Sequence, residues 1–190
     1  MTKVWEAFRR DPDLPRWIDQ IIFMGGVWSP LLLNGKSIDE LDFSVDPDAV
    51  YAVFQVPMQK VVITGNLCLE AFFGEDRLRK LKTIAAGSAI LRFAEARVRE
   101  WAALMSERFG VRGFHIWDAV AAVYLTNPEL FDTRSFGIGS TVQDLSKGLL
   151  RLQPADARSP SVCVPTHIRD TAKLFELLFD GRKNASPPCS

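Results

Sequence analysis

Apolar and polar positions along this chain follow two periods, and the elements can be read from them. Val4 to Phe8 has the spacing of a helix end and runs into "RRDPDLPRW", where two prolines mark a break. The run "IIFM" within Gln20–Met24 ends in a glycine pair, the pattern of a strand covered on both faces. "DPDAVYAVFQ" predicts a helix with Asp46 as N-cap and Pro47 at its first position, and "QKVVITG" predicts the next strand. From Asp76 to Phe109 the period is helical, interrupted at Gly87-Ser88. Leu78, Leu81, Ile84, Ile90, Phe93, Ala94 and Trp101 are available to its buried face. "WDAVAAVYLTNPEL" is apolar almost all round and predicts a buried helix that stops at Asn127-Pro128. "SFGIGSTVQD" and "SVCVPTH" predict short strands joined by a loop containing Pro and Ser. "IRDTAKLFELLFDG" predicts a closing amphipathic helix with Ile168, Leu174, Phe175, Leu177, Leu178 and Phe179 inward and Gly181 at its end.

Strands that alternate with helices imply an α/β layered fold with a mostly parallel, Rossmann-like sheet flanked by helices. No repeat or linker divides the chain, so residues 1–180 read as one domain and residues 181–190 as a flexible tail. In such folds ligands collect beyond the carboxyl ends of the strands, which points to "MGG" and the segment after it.

Composition narrows the function classes. The 190 residues carry 23 acids and 23 bases, and a formal charge of zero argues against a protein built around nucleic acid or an anionic membrane. The apolar runs are far shorter than a membrane span. Cys68, Cys163 and Cys189 lack metal-ligand spacing, and an odd count without an export signal suggests reduced thiols and a cytoplasmic location.

Two constellations can carry chemistry. Asn34, Asp39, Glu40, Asp42 and Asp46 cluster between a strand and a helix, where amide and carboxylate groups suit the recognition of a polyhydroxyl ligand. The alternative is a solvated acidic loop plus a helix cap. The second is "HIWD", where Asp118 either caps a helix or faces a ligand beside Trp117 and His115.

Taken in order, these motifs resemble the nucleoside hydrolases, the inosine–uridine-preferring N-ribohydrolases and their purine-specific relatives. The resemblance rests on "IIFMGG", on Asn34 six residues ahead of Glu40, on "ELDFSVDPDAV", and on "WDAVAAVYLTNPEL" about seventy residues later. It implies the nucleoside hydrolase fold and hydrolysis of the N-glycosidic bond of ribonucleosides, with a purine preference, to free base and ribose. By the same resemblance, Asp118 is a ligand of a catalytic Ca2+ and Trp117 stacks on the departing base. His115 is a candidate proton donor, or else a half-buried ring satisfied by backbone. Met24, Asn34 and Glu40 match sugar-binding positions, and Asp42 stands where the family usually has Asn, adding a charge near a developing cation.

One family hallmark is not found in the chain: an apolar strand followed by Asp-x-Asp-x-x-x-Asp-Asp, which supplies most of the calcium carboxylates and the general base. The resemblance therefore implies that the first strands of the sheet are missing and that the calcium ligands are incomplete, so the chain is expected to be inactive alone. It is expected to pair with a polypeptide carrying the first half or to form a homo-oligomer, or else to be the product of a truncated reading frame. The alternative is a non-catalytic remnant that binds ribose or a nucleoside, or serves oligomerisation.

Overall fold

The computed structural model describes residues 1–156 and 160–180. The expected flexible tail (181–190) and the helix-ending Gly181 lie outside the described residues. Helix α1 (Thr2–Arg10) and a 3-10 turn at Leu14–Trp17 lead into strand β1 (Gln20–Met24), which has the limits its sequence predicts. A hairpin of β2 (Leu31–Leu33) and β3 (Lys36–Ile38) follows, then α2 (Pro47–Gln55) and β4 (Gln59–Ile63). Short elements α3 (Gly65–Cys68) and β5 (Phe72–Gly74) precede the long helices α4 (Glu75–Ala85) and α5 (Ala89–Phe109). Next come β6 (Gly113–His115), α6 (Trp117–Thr126), β7 (Phe131–Ile138), α7 (Val142–Leu145), β8 (Leu152–Pro154), β9 (Ser161–Ile168) and α8 (Thr171–Asp180).

The helix boundaries have local causes. The Asp46 carboxylate accepts the Ala49 N–H at 3.1 Å and Pro47 opens α2, so a donor that would be left free is capped at the start. Ser88 accepts the Leu91 N–H and restarts the helix after the Gly87 break, which separates α4 from α5 as the sequence predicts.

The main sheet has the order β1-β4-β9-β7-β8. β1 and β9 run parallel to β4, while β7 is antiparallel to both β9 and β8. It is thus the expected α/β sheet flanked by helices, mixed in that β7 runs against the common direction of β1, β4, β9 and β8. The reason lies in the connections. β7 and β8 are neighbours joined by a short connection that holds the single-turn α7, and such a connection returns the chain antiparallel. Side chains alternate between the two faces with the strand period of two. Val61 and Ile63 of β4 join the core under α6 and α8, while Val62 joins Val162 and Val164 in a second core with Phe43, Phe54, Leu145 and Leu150. Covering on both faces explains why β4 reads as a continuous apolar run.

Three departures from the sequence reading have physical causes. "SFGIGSTVQD" is half strand and half helix, because Thr141 and Asp144 form a reciprocal capping box that starts α7. The segment expected as a loop before β9 contains β8. Ile90, Phe93 and Trp101, expected in the core, are 77%, 68% and 45% exposed. Helix α5 carries two apolar stripes, and the one built from Ala94, Val98, Ala102, Met105 and Phe109 packs inward. No helix among the described residues is long and apolar enough to cross a membrane.

Candidate functional site

Strand β1 ends at Met24, and Gly25-Gly26 then turn the chain with φ of +151° and +74°. A Cβ at either glycine would lie 2.5 Å from the ring of Phe43, which is fully buried beneath this turn. The close approach of a phenyl ring and the positive φ together leave glycine as the residue that fits. Gly25 donates to the Ile63 carbonyl at 3.0 Å and Gly65 donates to the Gly26 carbonyl at 2.9 Å, so the turn is tied to the end of β4.

Glu40 holds the neighbouring loop. Its Oε1 accepts the Gly26 N–H at 3.1 Å and the Phe43 N–H at 3.0 Å, while Oε2 accepts the Phe43 N–H at 3.1 Å and the Ser44 N–H at 3.3 Å. Gly148 (φ +68°) backs onto this carboxylate so closely that a Cβ there would lie 2.3 Å from Oε2. Burial raises the Glu40 pKa above the ordinary carboxylate value, against the opposing pull of the backbone donors. The carboxylate is therefore a clasp joining three stretches of chain as well as a wall of the cavity beside it.

That cavity, about 380 Å³, lies at the carboxyl ends of β1 and β4. Met24, Glu40, Asp42, Trp117 and Asp118 line it together, although Trp117 and Asp118 are more than seventy residues from the other three. Helix α6 opens with no side-chain cap, and Asp118 sits in its first turn, exposed, where the positive end of the helix favours a carboxylate. Asp42 has its pKa raised, first by burial and then by the negative charge of Asp118. The Cys68 thiol donates to the Trp117 carbonyl at 3.6 Å, and burial plus the charges of Asp118 and Asp42 push its pKa up. A thiol in such surroundings stays protonated and inert.

Two of the residues singled out from sequence stand apart from this cavity lining. Asn34 occupies the turn between β2 and β3 with φ of +49°, followed by Gly35 at +76°. This Asn-Gly pair is the chemistry a tight hairpin turn requires. The Asn34 amide donates to the Phe109 carbonyl at 3.2 Å, and Lys36 donates to the Arg108 carbonyl at 2.7 Å, so the hairpin fastens the end of α5. His115 ends β6 and is 7% exposed, with its ring 5.1 Å from that of Phe72 and 5.5 Å from that of Trp117. Its Nδ1 has no hydrogen-bond partner, and burial lowers its pKa despite a hydrogen bond with the Cys68 backbone. A neutral ring packed behind Trp117 is what this environment favours.

The donor set does not amount to a calcium shell. Calcium takes six to eight oxygens, whereas among the described residues no group of three or more His, Cys, Asp or Glu is placed to hold an ion. Asp42 and Asp118 face one another as like charges with no third carboxylate between them.

Sequence reasoning missed the wall contributed by α5: Trp101, Leu104, Met105, Arg108 and Phe109. It lies sixty and more residues from the "MGG" turn, and helical periodicity alone assigned Trp101 to the core. No local signal marked it, since Arg108 is one of many charged residues along α5.

Comparison with known proteins gives a consistent result. The family model described as inosine-uridine preferring nucleoside hydrolase matches residues 1–176. An inosine-uridine preferring nucleoside hydrolase of Crithidia fasciculata is 21% identical over 195 residues, covering 99% of this chain and 59% of that protein. A plant nucleoside hydrolase, the PpNRh1 enzyme, superposes with a TM-score of 0.75 at 20% identity, over 92% of this chain and 57% of its own. An inosine-uridine preferring nucleoside hydrolase from Bacillus anthracis gives 0.74 at 15% identity, over 94% and 56%. A purine-preferring ribonucleoside hydrolase from Gardnerella vaginalis gives 0.74 at 16%, over 91% and 54%. The chain thus spans a little over half the length of the relatives it matches, and the solved structures establish a shared fold.

Proposed function

Because the chain belongs to the inosine-uridine preferring nucleoside hydrolase family, we propose that its cavity takes a ribonucleoside, with a purine preference, as part of an enzyme that hydrolyses the N-glycosidic bond. The observation that carries this reading is the meeting of Met24, Glu40, Asp42, Trp117 and Asp118 around one cavity at the carboxyl ends of parallel strands. Carboxylates there accept sugar hydroxyl hydrogens, and the apolar Met24 packs against the ribose ring. The Trp117 indole offers a face on which a purine stacks as it departs. Asp42 and Asp118 place negative charge where the sugar becomes electron-poor, an interaction stronger in the transition state than in the ground state. His115 acts through Trp117, whose ring it backs, and Asn34 acts through the hairpin that holds α5.

Calcium, which the family resemblance implies, would activate water when bound. Asp118 and Asp42 would be its ligands here, but among the described residues no third carboxylate is placed with them, so the residues present do not fit the ion. A polypeptide carrying further carboxylates, or a second copy of the chain, is the partner that would complete the site. In the cytoplasm such a complex would serve nucleoside catabolism. The same shortage of carboxylates favours a second reading, a non-catalytic nucleoside- or ribose-binding remnant. DNA just upstream that encodes Asp-x-Asp-x-x-x-Asp-Asp would favour the first reading, and unrelated DNA the second.

The test offers inosine, adenosine and uridine to the purified chain, with and without calcium, while binding and the release of reducing sugar are followed. Binding of a nucleoside without sugar release is the expected result. Turnover by the chain alone would refute the incomplete-site account, and absence of binding to all three would refute the nucleoside reading.

A further inference from the structure

A second cavity, about 480 Å³, adjoins the first. The stretch 31–41 lines both, through Leu31, Ile38, Asp39, Glu40 and Leu41, whereas Trp117 and Asp118 line the first alone. The second cavity therefore lies beyond the Glu40 end of the first, away from the indole. Lys147 lines it from the other side, and its backbone is fixed: Gly148, the next residue, backs onto the Glu40 carboxylate with φ of +68°, and its carbonyl accepts the Val27 N–H at 2.9 Å. Lys147 and Asp39 are both exposed at this cavity, opposite in charge, and they do not pair with each other. Among the described residues neither side chain has an ion pair or a hydrogen-bond partner. Glu40 differs, since its carboxylate is taken up by the Gly26, Phe43 and Ser44 N–H groups.

We propose that the second cavity takes a substituent on the 5'-carbon of the nucleoside, and that this substituent is zwitterionic, as an α-amino acid is, with its carboxylate on Lys147 and its ammonium on Asp39. The inference rests on the nucleoside reading above and extends it to the far end of the ligand. In a nucleoside C1' bears the base, and C4', across the ring oxygen, bears C5'. With the base against Trp117 and the sugar on the carboxylates, C5' points away from the indole, toward the stretch the two cavities share. A bare 5'-hydroxyl needs about one water's share of space, roughly 30 Å³, so a cavity of about 480 Å³ has room for far more. Charge decides what kind of group fits. A phosphate dianion would meet Lys147 but also Asp39, with Asp42 and Asp118 in the adjoining cavity, and like charges at short range repel. An apolar group would leave Lys147 and Asp39 with nothing to bind. A zwitterion gives each of them a charge-assisted hydrogen bond.

Calorimetric titration of the whole chain tests this with adenosine, 5'-methylthioadenosine, adenosine 5'-monophosphate and S-adenosylhomocysteine, whose 5'-sulfur carries an α-amino acid. S-adenosylhomocysteine should bind about tenfold more tightly than adenosine or 5'-methylthioadenosine, the gain expected from a charge-assisted hydrogen bond at an exposed rim. The monophosphate should bind most weakly. Lys147→Ala should erase most of the advantage of S-adenosylhomocysteine over adenosine, Lys147→Arg should keep it, and Asp39→Asn should lower it. Lys82→Ala, on α4 and in neither cavity lining, should match the parent. Equal affinity of the parent for S-adenosylhomocysteine and adenosine would overturn the proposal while leaving the nucleoside reading intact. So would an advantage that survives Lys147→Ala, or tightest binding by the monophosphate. A parent chain that binds none of the probes overturns both.

Discussion

Glu40 is the residue whose removal should be felt most widely, because its carboxylate serves three backbone donors. Replacement by alanine leaves the buried Gly26 and Phe43 N–H groups without their acceptor, and the half-buried Ser44 N–H without its own. A buried donor deprived of its partner loses about 1–3 kcal/mol. Two buried donors, with Ser44 compensated by water, bring the loss to about 2–6 kcal/mol. For a chain of this length that corresponds to a fall of roughly 4–24 °C in Tm. Glu40→Gln keeps one carbonyl oxygen for Gly26 and Phe43 but sets an NH2 against the remaining donor, so about 1–2 kcal/mol is expected. Urea denaturation followed by tryptophan fluorescence measures both variants. The pH dependence adds a second check. Burial raises the folded pKa of Glu40, so the folded state holds that proton more tightly than the unfolded chain. Its contribution is then complete below the unfolded pKa, at roughly 4.3, and is lost as the pH rises through the folded value. The stability gap between parent and Glu40→Gln should therefore narrow from pH 4 towards neutrality. A Glu40→Ala variant that loses less than about 1 kcal/mol would refute the clasp.

Gly148→Ala drives a methyl group into the Glu40 carboxylate at a left-handed position. A loss of about 2–4 kcal/mol is expected, and less than additive when combined with Glu40→Ala, since both perturb one contact; a denaturation cycle reads the coupling. Asp42→Asn removes the like charge facing Asp118. Because the folded pKa of Asp42 is raised, its stabilising contribution belongs to acid pH and is lost as the pH rises. The variant should thus be slightly more stable than the parent at pH 7, by no more than about 0.5 kcal/mol for so exposed a group, and equal to it below pH 4.

Much of this protein was legible in the order of its residues because the signals were local. A strand ending in two glycines, Asp46-Pro47 as a helix start and the Gly87-Ser88 break each depend on a few neighbouring residues and the conformations they allow. The family motifs were legible for the same reason, since Met24, Glu40, Asp42, Trp117 and Asp118 sit at fixed positions relative to those elements. Tertiary structure alone decided which apolar stripe of α5 faced inward. Both stripes satisfy the helical period, and only packing against the rest of the domain separates buried Ala102 and Met105 from exposed Phe93 and Trp101. It also decided the work of the polar groups. Nothing local to Glu40 announces that Gly26, fourteen residues earlier, would donate to it, or that Gly148 would press against it. Likewise Asn34 carries the same amide whether it meets a ligand or closes a hairpin onto Phe109. Local sequence determines what conformation a segment prefers; which distant donors, rings and charges surround it depends on how the layers close.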